Sequence, residues 1–177
     1  MRHLKVRKLV HLAVFLALGV VLNILENYIV FLPIAPGVKL GLANTINLIL
    51  LAVYGPVEFL WVGFLRVLLS GIFSGFGTSF LLSLSGFLIS SLFVLIFYFT
   101  EKLSIFGLSI VSASMHGVGQ VLVISWIYEN ILMMNYLVIM IPSGLITGLV
   151  IASLSRIIIY RLKPLIQQGD TLSAKDS

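Results

Sequence analysis

Charged and amide side chains interrupt otherwise apolar stretches of this sequence, and their spacing could support ligand binding. Asn23, Glu26 and Asn27 are three or four positions apart, so a helix would present them on one face. His116 and Gln120 are separated by one helical turn. Such groups can bind a polar ligand or pair with one another inside a protein. The other polar residues of this kind within or beside apolar stretches are Lys39, Asn44, Asn47 and Arg66.

Several kinds of chemistry lack the residues they need. The chain has no cysteine, which excludes thiolate metal sites and cysteine nucleophiles. The three histidines are far apart in sequence, and no aspartate precedes Asp170. There is also no phosphate-binding loop of the G-x-x-x-x-G-K-[ST] type. We therefore predict no catalytic residue, no metal site and no cofactor.

The composition is that of an integral membrane protein. Of the 177 residues, 60% are hydrophobic and 10% are charged, and the mean hydropathy is +1.18. A soluble domain is usually less than half apolar and about a quarter charged. The net charge of +5 comes from basic residues beside apolar stretches. That position indicates membrane topology and argues against a nucleic-acid partner.

Apolar stretches long enough to cross a bilayer predict an all-α bundle of six transmembrane helices. Glycine and proline mark most of the breaks between them. The predicted spans are Leu9–Leu32, Leu40–Tyr54, Val57–Phe73, Ser79–Phe99, Leu108–Tyr128 and Tyr136–Tyr160. Gly55-Pro56 predicts a hairpin between the second and third spans. Residues 1–163 form one domain in this interpretation, and residues 164–177 form a polar, disordered tail.

The distribution of lysine and arginine predicts the orientation in the membrane. With six spans, nearly all basic residues fall on one side, which the positive-inside rule assigns to the cytoplasm. Both termini are then cytoplasmic, and the protein is a multi-pass protein of a bacterial-type cytoplasmic membrane. The residues on that side are Arg2, Lys5, Arg7, Lys8, Lys102, Arg156, Arg161 and Lys163.

In this orientation the polar residues lie between the midplane and the outer surface. Ionisable groups within a bilayer are costly and usually functional. Four spans contribute to this zone, whereas their inner halves are almost free of such groups. The segregation predicts an outward-facing pocket that binds a small polar or anionic molecule. The candidate binding residues are Asn23, Glu26, Lys39, Asn44, Asn47, Arg66, His116 and Gln120.

Structural roles for the same residues remain open alternatives. Glu26 and Arg66 could form a purely structural ion pair, or Glu26 could contact the ligand. Asn44 and Asn47 could join helices by hydrogen bonds. His116 could be an interior histidine, and Lys39 could extend to the membrane interface. A small structural membrane protein would use its polar groups in these ways.

Small residues recur at helical spacing on the first and last spans. Ala13 and Ala17 form an Ala-x-x-x-Ala step, and Gly144, Gly148 and Ala152 form a similar stripe. Such steps let helices approach closely. On a helix, Glu26 points away from the Ala13/Ala17 face, so one side could meet a partner while another meets the pocket.

Several motifs together resemble a known family. They are "PGVKLGLAN", Arg66, "FSGFGTSFLLSLSGFLISS", "SASMHGVGQ" and "PSGLITGLV". They resemble the Gx transporter family, also labelled heptaprenyl diphosphate synthase component I. This family is grouped with the substrate-binding S-components of energy-coupling factor (ECF) transporters. The family pattern has His-Asn where this chain has His116-Gly117.

The resemblance implies a six-helix S-component that binds a small nutrient near the outer face. It also implies that Ala13 and Ala17 dock a transmembrane coupling subunit, and that two ATPase subunits supply the energy. Toppling of the protein in the bilayer would then carry substrate across. The family's other label implies an alternative, a membrane subunit that accompanies a prenyl diphosphate synthase.

Overall fold

The computed structural model describes residues 2–28 and 42–175, with side chains described for residues 6–26, 42–73 and 75–166. The described chain forms six α-helices and one 3₁₀ helix, without a β-strand. This confirms the predicted all-α fold. The helices are α1 (Arg2–Tyr28), α2 (Leu42–Val53), α3 (Pro56–Ser74), α4 (Thr78–Phe99), α5 (Ile105–Ile127) and α6 (Leu137–Lys175), with the 3₁₀ helix at Ile131–Tyr136.

Five of these helices are long and apolar enough to cross a membrane, so the chain is a multi-pass membrane protein. The exception is α2, which has 12 residues. At 1.5 Å per residue it is about 18 Å long, against about 30 Å of hydrocarbon. The described part of the second predicted span is therefore shorter than a bilayer crossing, and the count of six complete spans stays a prediction.

The turn between α2 and α3 follows from its sequence. Gly55 has φ of 101°, a backbone conformation that L side chains rarely adopt, and Pro56 begins α3. The positive φ reverses the chain, and proline is favoured at a first helical position because its missing N–H needs no partner there. The hairpin predicted from Gly55-Pro56 is confirmed.

Contacts between helix ends bring basic residues to one end of the bundle. Lys8 of α1 forms an ion pair with Glu58 in the first turn of α3. Phe59 of α3 and Leu108 of α5 belong to one apolar cluster, and Arg156 of α6 lies over an aromatic ring at the start of α5. The starts of α1, α3 and α5 therefore lie near the latter part of α6. We call this the basic end, and its residues are Lys8, Lys102, Arg156, Arg161 and Lys163.

Helices α5 and α6 approach closely at glycine residues. A Cβ added at Gly144 would lie 2.7 Å from Ser114 Cα, and one at Gly148 would lie 2.7 Å from Ile110 Cα. Ser109 Oγ donates a hydrogen bond of 2.7 Å to the carbonyl oxygen of Gly148. The predicted small-residue stripe on the last span therefore packs against the backbone of α5.

Helix α6 is longer than the sequence predicted. It continues through Pro164 to Lys175, across the segment for which a disordered tail was expected. Its apolar part, with the 3₁₀ helix before it, runs over residues 131–166.

Candidate functional site

All six helices contribute residues to one small cavity in the bundle. Its volume is about 50 Å³. The polar part of its lining combines a guanidinium, a carboxylate, an imidazole, amides and hydroxyls, and the rest is small or aliphatic. The lining residues are Asn23, Glu26, Ala43, Asn44, Arg66, Ser83, Ala113, His116, Gly117, Gln120, Met140, Ser143, Gly144, Thr147 and Ile151.

The cavity collects most of the residues that the sequence singled out. Asn23, Glu26, Asn44, Arg66, His116 and Gln120 all line it. Asn47 is buried but is not among the lining residues, and its amide instead lies close to Gly63 of α3. That position fits a contact between helices. Lys39 lies outside the described residues, as does the side chain of Asn27.

Arg66 is the most deeply buried charged residue of the site, with 2% of its surface exposed. Its aliphatic stem lies against α1 at Gly19, where an added Cβ would be 3.0 Å from Arg66 Cδ. Its Nη2 donates a long hydrogen bond of 3.4 Å to Asn44 Oδ1. The Nε and Nη1 atoms have no hydrogen-bond partner within the described part of the chain. A buried donor without an acceptor is costly, so these two atoms are the strongest ligand-binding feature of the cavity.

Glu26 connects α1 to the start of α2. Its Oε1 accepts a hydrogen bond from the backbone N–H of Leu42, the first residue of α2. The first N–H groups of a helix have no partner within the helix, so the carboxylate supplies one. Glu26 also lines the cavity and acts electrostatically on Arg66. It therefore stabilises a helix start and also contributes negative charge to the site.

His116 is fixed by two neighbours. Gln120 Nε2 lies 3.1 Å from His116 Nε2, one turn further along α5. The ring packs on Gly86 of α4, where an added Cβ would be 2.6 Å from His116 Cε1. His116 and Gln120, which the sequence places one turn apart, both line the cavity.

Sequence reasoning missed the hydroxyl residues of the cavity, which are Ser83, Ser143 and Thr147. Ser143 and Thr147 donate to carbonyl oxygens three positions earlier in α6. Serine and threonine are common in membrane helices because they can satisfy themselves in this way. Residue type and sequence spacing therefore do not show whether a serine or threonine hydroxyl lines a cavity or lies in a contact between helices. The stripe of Gly144 and Gly148 was the available signal that this face of α6 lies inward.

The described residues contain no group of three metal-ligating histidine, cysteine, aspartate or glutamate side chains. Within the cavity, Glu26 and His116 are the residues whose types could also serve as metal ligands.

The Ala13/Ala17 face of α1 lies on the outside of the bundle. Both alanines are exposed, whereas Glu26, Asn23 and Val20 on other faces of the same helix are buried. The helix therefore faces the cavity on one side and presents small side chains on another, as its periodicity predicted.

Fold and site together define a polytopic α-helical membrane protein with a buried polar cavity near its centre. Residues 15–158 match the profile of the family described as heptaprenyl diphosphate synthase component I. The match spans most of the chain, so the protein belongs to this family, as its motifs predicted. Comparisons with curated proteins and with solved structures gave no significant match.

Proposed function

We propose that this protein is the substrate-binding subunit of an ECF-type importer, and that it captures a small polar or anionic molecule from the outer side of the membrane. The observation that carries the proposal is the cavity with the buried guanidinium of Arg66. Ionisable groups inside a membrane protein usually mark a binding site or a transport path. A scaffold would gain little from a guanidinium with unsatisfied donors.

The orientation follows from the basic end. Lysine and arginine are enriched on the cytoplasmic side, so the basic end faces the cytoplasm of a bacterial-type membrane. Arg66 is then about 15 Å from the cytoplasmic start of α3, at 1.5 Å per residue, which is near the midplane. A substrate would enter from the opposite side, where Lys39 is proposed to contribute a further positive charge.

The cavity must widen to hold a nutrient. It measures about 50 Å³, whereas sites for drug-sized ligands are commonly about 300–1,000 Å³. We propose that the structure corresponds to a closed state, and that binding requires a movement of the cavity walls.

The proposed partners are a transmembrane coupling subunit and two ATPase subunits, with Ala13 and Ala17 as the docking face on α1. The chain has no nucleotide-binding loop of its own, so ATP hydrolysis has to be supplied by partners. Exposed small side chains allow another helix to approach closely.

Co-expression tests this assignment. The full-length protein, produced with ECF coupling and ATPase subunits, is expected to purify as a complex that carries out ATP-dependent uptake in vesicles. Mass spectrometry of the gently purified protein would identify the bound molecule. A protein that binds none of these subunits, although it is folded and in the membrane, would refute the importer assignment.

The family's description supports a second candidate, a non-catalytic membrane subunit that accompanies a heptaprenyl diphosphate synthase. Prenyl transfer by the soluble synthase partner, measured with and without this protein in vesicles, separates the two functions. Activity that depends on the protein would favour the second candidate. Unchanged activity, together with ATP-dependent uptake, would favour the importer.

A further inference from the structure

The unsatisfied donors of Arg66 indicate what kind of group the cavity binds. Arg66 is 2% exposed, and both Nε and Nη1 lack a hydrogen-bond partner among the described residues. A guanidinium presents its donors in a planar fork that matches the two oxygens of a carboxylate or two oxygens of a phosphate. Some oxygen-bearing anionic group is therefore the natural partner.

The charge of the cavity separates these two possibilities. Among the lining residues that the structure describes, Arg66 is the cation and Glu26 is the carboxylate. His116 Nε2 lies 3.1 Å from Gln120 Nε2, so the imidazole already has a polar neighbour on its own helix. Phosphate sites commonly add helix N-termini, further cations or a metal ion. Here the first N–H of α2 already donates to Glu26. Because the charges of Arg66 and Glu26 cancel, a ligand with one negative charge leaves less charge uncompensated in the cavity than a phosphate or diphosphate does.

The lining also restricts the shape of the ligand. No phenylalanine, tyrosine or tryptophan is among the described lining residues. Planar ring systems are commonly bound by aromatic stacking, which the described lining residues do not offer. Its volume is about 50 Å³, so the cavity must widen to admit a ligand. A headgroup of carboxylate size requires less widening than a ring does.

We propose that the substrate is a small non-aromatic carboxylate monoanion whose carboxylate accepts hydrogen bonds from Nε and Nη1 of Arg66. The inference rests on the proposed substrate-binding function and names its substrate class. It separates this chain from a protein that binds a prenyl diphosphate, because a diphosphate would leave several negative charges facing Glu26.

Ligand-dependent stability of the wild-type protein is the primary test. The full-length chain in lipid nanodiscs would be heated with millimolar acetate, lactate, nicotinate, phosphate or pyrophosphate at matched ionic strength. Acetate or lactate is expected to raise the melting temperature above that of a chloride control, whereas the other three leave it unchanged. Stabilisation by pyrophosphate or nicotinate equal to that by lactate would overturn the proposal, as would no effect of either aliphatic carboxylate.

Variants then locate the binding group. Arg66→Gln is expected to weaken lactate binding at least about tenfold, the change that loss of hydrogen bonds to a charged group produces. Arg66→Lys keeps the charge but loses the fork, so we expect intermediate affinity. Arg156→Gln, at the exposed basic end, is the matched control and should bind as the wild type does. Equal affinity in Arg66→Gln and the control would refute the assignment to Arg66.

The two levels of the proposal can fail separately. If Arg66→Gln does not fold, the wild-type ligand series still decides the substrate class. If the protein assembles with ECF subunits and transports but ignores small carboxylates, the substrate class is wrong and the importer function stands. If it binds lactate but never assembles with those subunits, the importer function is wrong and the carboxylate site stands.

Discussion

At the residue scale, the cavity depends on two glycines as much as on its polar side chains. Gly19 of α1 leaves room for the stem of Arg66, and Gly86 of α4 leaves room for the ring of His116. Polar groups from α3 and α5 thereby reach the middle of the bundle without separating the helices. The lack of a side chain at these positions is what permits the two polar groups to be buried.

We predict that Gly86→Ala destabilises the protein by displacing His116. The new Cβ would lie 2.6 Å from His116 Cε1, closer than real Cβ contacts allow. Overpacking of this kind costs about 1–3 kcal/mol. Thermal unfolding in nanodiscs would measure the loss, and the added substitution His116→Ala is expected to recover part of it because the clashing ring is gone.

The control is Gly77→Ala at the N-cap of α4, where nothing lies within 4 Å of an added Cβ. Only a small effect is expected there. If Gly86→Ala unfolds at the same temperature as this control, or if removal of the ring recovers nothing, the ring does not pack on Gly86 as described.

The residues of the cavity could be predicted where a charged or titratable side chain interrupts an apolar span. Arg66, Glu26 and His116 stand out because charged or titratable groups are rare in apolar spans. Asn47 was included with Asn44 because a step of three residues keeps two side chains within about 60° of each other on a helix. In the structure the Asn47 amide lies close to Gly63 of α3, and the cavity lining includes Asn44 alone of the two. Ser83 gave no signal, since serine is ordinary in such helices.

At the element scale, α4, α5 and α6 form the most closely packed part of the bundle. Gly119 of α5 meets the backbone of α4 near Ser85, and Gly144 and Gly148 of α6 meet the backbone of α5. Backbone atoms cannot rotate away as a flexible side chain can. These helices are therefore sensitive to added volume on their shared faces.

We predict that Gly148→Ala is among the more destabilising single-methyl additions on α6. Its Cβ would lie 2.7 Å from Ile110 Cα, and relief requires the two helices to separate. Separation also strains the hydrogen bond from Ser109 to the Gly148 carbonyl oxygen. We expect a loss of about 1–3 kcal/mol, measured by thermal or denaturant unfolding.

Ser153→Ala on the exposed face of α6 is the control for this experiment. It removes a hydroxyl that bonds only within the helix, to the Leu149 carbonyl oxygen. A Gly148→Ala protein as stable as Ser153→Ala would mean that α5 and α6 do not touch at this glycine.

Helix positions were largely predictable because glycine and proline punctuate the apolar stretches. The spans predicted at Val57–Phe73 and Ser79–Phe99 agree with α3 and α4 to within a residue at each end. The described α2, Leu42–Val53, lies within the predicted span Leu40–Tyr54. The extension of α6 past Pro164 was missed because proline usually marks a helix end.

At the scale of the whole molecule, the exposed surface of α1 is the clearest candidate for a partner. Ala13 and Ala17 are exposed among larger apolar residues such as Val10, Val14 and Leu18. In a bilayer this face meets lipid or another membrane protein. Small side chains flanked by larger ones form a shallow groove into which a neighbouring helix can pack.

We predict that Ala13→Trp and Ala17→Trp reduce recovery of the complex with an ECF coupling subunit at least about tenfold, the effect of a clash of about 1.4 kcal/mol. Because both positions are exposed, the variants should fold and keep wild-type thermal stability. Co-purification from membranes, quantified against the wild type, is the measurement.

Leu92→Trp on α4 provides the control, since Leu92 is exposed on a different helix. It should leave the complex intact. Equal recovery of the alanine variants and this control would show that the partner, if any, docks elsewhere on the protein.

The short α2 has an electrostatic consequence. Because its first N–H donates to a carboxylate that lines the cavity, α2 begins at the depth of the cavity. A helix start carries the equivalent of about half a positive elementary charge. At most helix starts, water and dissolved ions weaken that field, whereas this one faces Glu26, which is 6% exposed. Glu26 therefore offsets both the partial positive charge of this helix start and the positive charge of Arg66. A molecule that displaced Glu26 would leave both positive charges without a counter-charge.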